Sequence, residues 1–476
     1  MTHVNRIENA LSAPYFKIIG ETADALQLPC YVIGGFVRDL LLDRHNKKDI
    51  DIVCVGSGIA LAKAVQKKLP KAGKVQVFNS YGTAMIPSED VVLEFVGARK
   101  ESYQRSSRNP EVTPGTLEDD QNRRDFTINA LALSLNKDTF GQLLDPFDGQ
   151  KHLKEKRLKT PLSPDITFDD DPLRMMRAIR FATQLQFTID TETLAAITTH
   201  AARIAIISKE RIVEELHKIL LSAKPSVGFL LLEKTGLLDI ILPELTALKG
   251  IEEIDGHRHK DNFYHTLEVV DNICPNTDNL WLRWAALLHD IGKAPTKKLL
   301  PTTGWTFHGH EFVGAKMVYK LFKHLKMPLN EKMKYVQKLV LMSSRPIVIA
   351  QDTVTDAAVR RLLFDAGPDI EDLICLCEAD ITTKNPKRFA RYHNNFKIVR
   401  EKMVDVEARD QVRNFQPPVT GEMIMDYFQI GPCRAIGTIK EAIKEAILEG
   451  IIPNELDAAM QMMKDEGRKL GLNANE

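Results

Sequence analysis

The sequence predicts a mixed α/β head followed by a mostly α-helical remainder, on three observations. Tyr31 to Val55, YVIGGFVRDLLLDRHNKKDIDIVCV, reads as strand, turn, helix and strand. β-rich runs recur up to about Gly149, and beyond Leu173 strand signals nearly vanish as helical periodicity takes over. Pro161, Pro164 and Pro172 punctuate the change and place a boundary near 150–170. The length of 476 residues suggests about three domains. The pattern divides the chain into a head with an N-terminal helix (1–150), a helical neck (151–245), a third body (246–395) and a helical tail (396–476).

Residues 1–30 read as helical, with Ile7, Leu11, Ile18, Ile19 and Leu26 as core contacts. Tyr31-Val32-Ile33 follows as a short buried strand. Gly34-Gly35 then turns the backbone with no Cβ in the way, as a chain approaching a phosphate needs. Phe36 to Leu42 reads as a helix whose free N–H groups face that turn, with Arg38 and Asp39 in its first turn. On the strand after a basic loop, Asp49 and Asp51 share one face while Ile50 and Ile52 go to the core. A lone DxD is usually a solvated edge and a lone GG usually a turn. Together they could hold Mg²⁺ against a nucleoside triphosphate.

Val75 to Phe78 and Val91 to Val96 read as further strands. Glu94 is a charge inside an apolar run and needs a partner, for which Arg99 is the nearest in sequence. Residues 99–122 read as a long loop carrying Arg99, Lys100, Arg105 and Arg108. Arg123-Arg124-Asp125 then reads as a helix start. In Asp169-Asp170-Asp171-Pro172-Leu173-Arg174, Pro172 suits a first helical turn and the aspartates its positive end. Arg174, Arg177 and Arg180 recur at i+3 as one basic stripe.

Three of these stretches together, GG…DxD, RRDFTINA (123–130) and DDPLR (170–174), resemble the class II tRNA nucleotidyltransferase and poly(A) polymerase family. That resemblance implies a polymerase-β-like α/β head. It implies catalytic carboxylates at Asp49, Asp51 and, from the later strand, Glu94, which hold two Mg²⁺ ions. It places Gly34, Gly35, Arg38 and Arg124 around the nucleotide's phosphates and ribose, and gives base reading to Asp171 and Arg174, supported by Arg177 and Arg180. Cytosine and adenine both present an exocyclic amine beside a ring-nitrogen acceptor, so a carboxylate and a guanidinium can accept C and A while rejecting U and G. Arg211, Glu214 and Lys218 read as braces for that helix, and Phe229 to Leu248 resembles the family's RNA-binding neck.

Six of the 13 histidines fall between positions 257 and 310: His257, His259, His265, His289, His308 and His310. YHTLEVV, ALLHDIGK and CEAD supply His265, His289, Asp290 and Asp380, a donor set suited to a divalent transition metal of unspecified identity. The set resembles an HD phosphohydrolase domain, which implies hydrolysis of phosphoester ends such as 2′,3′-cyclic phosphates or 2′-nucleotides. His308 and His310 could add ligands or hold the phosphate. The blander reading is a degenerate fold kept as a tRNA-binding body. Lys384 to Lys402 is basic with interleaved Phe389, Tyr392 and Phe396, either a phosphate-backbone tracker or a solvated face over a core stripe.

Composition narrows the classes. The formal net charge is zero, so affinity for nucleic acid must rest on charge placement rather than on a basic excess. Six scattered cysteines with no CxxC pair read as reduced thiols. The N-terminal stretch is too polar for a signal peptide and no run suits a membrane span. The expectation is a cytoplasmic enzyme that adds CCA to tRNA from CTP and ATP. A poly(A) polymerase or a partial CC- or A-adding enzyme shares nearly all the motifs. An HD phosphohydrolase whose head only binds RNA is the alternative from another class.

Overall fold

The computed structural model describes the whole chain except residues 1–2, 45–48, 71, 80–81, 89–90, 103–110, 251–252, 255–256, 259–260, 301–303, 352–353, 411–415 and 473–476. Most of the expected basic loop, together with Arg105, Arg108 and His259, therefore lies outside the described residues. The chain forms two compact units, Met1–Pro243 and Glu244–Glu476.

The first unit opens with α1 (His3–Leu11) and α2 (Pro14–Ala25), the latter with Pro14 at its first turn. Ile7, Leu11 and Ile19 are buried as expected, but Leu26 is exposed because α2 ends before it. β1 (Cys30–Ile33) leads through α3 (Gly35–Leu41) into β2 (Asp49–Cys54). α4 (Gly58–Lys68), capped by Ser57, is followed by β3 (Gln76–Phe78), β4 (Thr83–Ser88) and β5 (Val91–Gly97). β8 (Ala132–Ser134) and β9 (Leu143–Leu144) complete a seven-stranded sheet in the order β3-β4-β5-β2-β1-β8-β9. Only β2 and β5 are parallel, and their register sets Asp51 beside Glu94 and Asp49 beside Val92. Ile50, Ile52, Leu93 and Phe95 are fully buried on the other face, so period-2 alternation turns the acids away from the core.

The expected loop over 99–122 is a correction. β6 (Arg99–Ser102) and β7 (Glu111–Pro114) pair as an antiparallel hairpin, and α5 (Leu117–Asn122) follows under a capping box of Thr116 and Asp119. β7 is exposed throughout, so no hydrophobic alternation marks it in the sequence. The Arg123-Arg124 pair consequently follows a helix end instead of starting one: Arg123 is the C-cap of α5.

Beyond the sheet, α6 (Gly149–Lys154), α7 (Pro164–Asp170), α8 (Leu173–Leu185), α9 (Thr191–His200), α10 (Lys209–Leu220) and α11 (Pro225–Lys234) form the helical part of this unit. α8 packs on α10 and α11, burying Met175, Met176 and Ile179. Among the described residues the second unit is helical apart from two short hairpins. Trp284, Phe263 and Phe322 lie in its core. Asp261 caps the helix Asn262–Ile273, accepting from the Phe263 and Tyr264 amides at 3.0 and 3.3 Å. Among the described residues no helix is long and apolar enough to cross a membrane.

Candidate functional site

Gly34 takes φ +82° and ψ −135°, a conformation open to glycine because it has no Cβ. A Cβ built there would lie 2.9 Å from an Arg124 Nη and 3.4 Å from an Asp51 carboxylate oxygen. The turn thus brings the backbone between the acidic strand and the arginine. A cavity of about 850 Å³ opens at this point. Its walls include Gly34, Gly35, Arg38, Asp49, Asp51, Arg124, Arg177 and Arg180.

Each arginine is held by a buried partner. Both oxygens of Asp120, a fully buried carboxylate, are used: one pairs with Arg123, the other accepts from Arg124 Nε and Nη2 at 3.2 and 3.0 Å. Burial works against that charge, and the Arg124 and Arg123 guanidiniums outweigh it, holding the Asp120 carboxyl below its ordinary range. Arg38 donates to Asp39 at 2.7 Å and to the Asn129 side chain at 2.8 Å. Arg177 forks onto Asp125, 2.7 and 2.6 Å away, and Asp125 also accepts from Asn129 and from the Phe126 amide. Burial raises the Asp125 carboxyl and Arg177 outweighs it, drawing it down to about 2.

Arg180 lies 2.5 Å from Glu215 and stacks 3.9 Å over the Phe181 ring. This corrects the expected brace: α10 turns Glu214 outward, and it is the buried Glu215, with Lys218 at 3.4 Å, that supports the arginine.

Glu94 stands half-buried beside Asp51. Burial first, then the charges of Asp51 and Asp49, push its carboxyl above the ordinary value, while Arg99 pulls the other way. Arg99 itself pairs with Glu101 at 2.8 Å, so the local pairing with Glu94 suggested by the sequence has a competitor. Glu94 is not among the cavity walls, and Asp49, Asp51 and Glu94 do not bring three ligand atoms within 4.8 Å of one another; their mutual repulsion is what a divalent cation would relieve. Asp171 and Arg174 do not line the cavity. Asp171, which ends α7, accepts from the Leu173 amide at the start of α8 at 3.0 Å, and buried Arg174 donates to the Thr167 carbonyl at 3.3 Å.

The second unit carries a separate cluster. The His289 Nδ1 lies 2.8 Å from the Ala286 carbonyl and so carries a proton, while Nε2 faces Asp290 and Asp380; burial lowers the imidazole and these carboxylates outweigh it, raising it to about 10. That Nε2 is buried without a hydrogen-bond partner, 3.3 Å from Asp290 and 3.7 Å from Asp380. His265 Nε2 lies 2.8 Å from Asp380 and 3.6 Å from Asp290. Lys293 adds a contact to Asp290 at 2.6 Å and His310 one at 3.6 Å, whereas His308 is exposed. Among the described residues, only His265, His289 and Asp290 bring three ligand atoms within 4.8 Å of one another. A buried imidazole nitrogen facing two carboxylates, the place where a cation can stand in for a proton, fits a divalent metal.

The Poly A polymerase head domain matches residues 30–159. The probable RNA and SrmB-binding site of polymerase A matches 186–249, and the HD domain matches 262–385. The A-adding tRNA nucleotidyltransferase of Deinococcus radiodurans is 33% identical over 365 residues, covering 74% of this chain and 81% of that protein. The multifunctional CCA protein of Alkalilimnicola ehrlichii is 33% identical over 368 residues, covering 74% and 83%. The chain belongs to the tRNA nucleotidyltransferase and poly(A) polymerase family. Solved tRNA nucleotidyltransferases share its fold. The Bacillus stearothermophilus CCA-adding enzyme in complex with CTP superposes with a TM-score of 0.69 at 21% identity, covering 96% of this chain and 99% of that one. The Thermotoga maritima CCA-adding enzyme complexed with tRNA gives 0.59 at 21% identity, covering 96% and 94%.

Proposed function

We propose that this protein adds nucleotides to the 3′ end of tRNA, completing CCA from CTP and ATP. The observation that carries the reading is the one cavity in which the Asp49/Asp51 strand, the Gly34 turn and four braced arginines converge. Asp49, Asp51 and Glu94 would hold Mg²⁺. A cation bound there would lower the pKa of the attacking 3′-hydroxyl and neutralise the triphosphate and its leaving pyrophosphate. The Gly34 turn lets the triphosphate approach the backbone. Arg124, held by Asp120, donates to phosphate or ribose; Arg38 binds phosphate. Arg177 and Arg180 line the wall beyond. Asp171 and Arg174 read the base, which requires Arg174 to exchange the Thr167 carbonyl for a nucleobase.

The two relatives differ in what their names describe, A addition in one and a multifunctional CCA protein in the other. A partial A- or CC-adding enzyme is therefore the second reading, and a poly(A) polymerase the third. The cluster of His265, His289, Asp290 and Asp380 would hold a divalent metal and hydrolyse phosphoester ends of RNA. All six cysteines are free thiols, which supports a cytoplasmic setting. Asp49→Ala tests the assignment of chemistry to sites: nucleotide addition should disappear while phosphoester hydrolysis persists. Addition that survives the substitution would remove Asp49 from the mechanism.

A further inference from the structure

Asn129 ends the short turn Thr127–Asn129 that follows Asp125. Behind it the turn is fixed from two sides. The Thr127 hydroxyl lies 2.9 Å from Nδ1 of buried His152, and the Thr127 amide donates to the Lys159 carbonyl at 2.8 Å. In front, the Asn129 side chain forms part of the cavity wall while remaining buried. Both ends of its amide are used: Oδ1 accepts from Arg38 Nη1 at 2.8 Å, and Nδ2 donates to Asp125 Oδ1 at 2.9 Å. The other Asp125 oxygen is the one onto which Arg177 forks. A continuous run of hydrogen bonds therefore joins Arg38 of α3 to Arg177 of α8 through one amide and one carboxylate.

A guanidinium only donates and a carboxylate only accepts, so this link needs a side chain with an acceptor at one end and a donor at the other. An aspartate there would meet Asp125 with a second negative charge, and an apolar side chain would strand two buried partners. Neutralising charge is not what the amide adds, because Arg38 already has Asp39 at 2.7 Å and Arg177 has Asp125 at 2.6 Å. It adds a fixed separation. The two guanidiniums also share a neighbour, lying 4.8 and 5.4 Å from the centroid of the same Phe181 ring. Like charges are thus held close where repulsion alone would spread them. An incoming nucleotide brings several negative charges on a flexible chain. Two guanidiniums already set at one spacing bind it without first being ordered.

We propose that Asn129 is a positioning residue that couples Arg38 to Arg177, so that the two guanidiniums grip the incoming nucleotide as one unit. The inference rests on the reading of this cavity as the nucleotide site and adds how two of its arginines act together.

The test measures CTP binding to the full chain with Mg²⁺ by calorimetry, without tRNA so that no chemistry intervenes. Arg38→Lys, Arg177→Lys and the double variant are compared, first with Asn129 in place and then in Asn129→Ala, each checked for folding by thermal melting. Lysine keeps the charge and loses the fork. With Asn129 in place, the double variant should bind CTP about tenfold more tightly than the product of the two single effects predicts, because unseating one arginine has already loosened the other. In Asn129→Ala, CTP binding should weaken about tenfold and the two lysine effects should multiply. Asn129→Asp, which keeps an acceptor for Arg38 and loses the donor to Asp125, should give the same loss of coupling. Lost packing alone lowers the melting temperature but creates no dependence between two substitutions. Effects that multiply with Asn129 in place would overturn the proposal, and that arm requires no variant at position 129 to fold. Coupling that survives unchanged in Asn129→Ala would also overturn it, and would assign the link to Phe181. Single lysine variants that bind CTP as the wild type does would instead defeat the nucleotide-site reading, and the proposal with it.

Discussion

Asp125 allows a prediction with a magnitude and a sign. Its carboxylate is almost wholly buried, pairs with both Arg177 nitrogens facing it, and has its carboxyl drawn from an ordinary 3.8 down to about 2. A depressed carboxyl stabilises the fold above its unfolded value and loses that contribution as pH falls through the folded value. The difference of nearly two units corresponds to roughly 2 kcal/mol at pH 7, an upper figure because Arg177 is a third exposed. By pH 3, between the two values, the same linkage leaves only about half of it. Asp125→Asn keeps the shape and removes the charge. Urea unfolding of both proteins, read by proteolysis of peptides from Met1–Pro243 so that the other unit does not contribute, should give a gap of roughly 2 kcal/mol at pH 7. The gap should narrow to about 1 kcal/mol at pH 3. Packing losses in the variant do not titrate, so the narrowing isolates the carboxylate. A gap that is constant or widens toward acid would refute the assignment of the stabilisation to the Asp125–Arg177 pair.

Other outcomes follow from the same structure. Asp120→Asn, which leaves two guanidiniums sharing one neutral amide, should lower kcat/KM for the incoming nucleotide about tenfold or more through Arg124, and a change under threefold would contradict that positioning role. Gly34→Ala forces a Cβ against Arg124 in a glycine conformation, so it should cost roughly 1–3 kcal/mol in stability of the head and abolish most nucleotide addition; a crystal structure with the turn and Arg124 unmoved and full activity would contradict it. Asp290→Ala should remove bound divalent metal, measured by elemental analysis, and abolish phosphoester hydrolysis while leaving nucleotide addition intact. Metal retained at wild-type stoichiometry would show that the cluster is not the ligand set.

What the sequence made legible was local. The acidic strand, the glycine turn and the RRD string each sit within a few residues, and alternation alone separates Asp49 and Asp51 from Ile50 and Ile52. The His and Asp cluster is also readable, because its apolar flanks mark helices, although Asp380 joins it only through the fold. Long-range partners were not readable. Asp120 lies in LEDDQN, which looks like a solvated acidic run, yet it is fully buried beneath two arginines. Glu215 and Glu214 are neighbours in sequence, and only helical phase against α8 decides which one meets Arg180. The hairpin of β6 and β7 has no apolar face in β7 to announce it. The basic stripe after Lys384 proved divided. Arg400 pairs with Glu371 and Glu378, and Lys402 with Asp356, so part of its charge is spent within the fold, while Tyr392 lines a cavity shared with His265 and Asp380.

The central claim, addition of CCA at one cavity, is tested most directly by extending a tRNA transcript that lacks its last three nucleotides. The full chain is supplied with Mg²⁺ and CTP alone, ATP alone or both, and the 3′ ends are sequenced. Two cytidines with CTP and C-C-A with both nucleotides is the predicted result. A single A added only to a transcript already ending in C-C, a stop at C-C despite ATP, or a long A-tract would contradict it and assign the chain to a partial enzyme or a poly(A) polymerase.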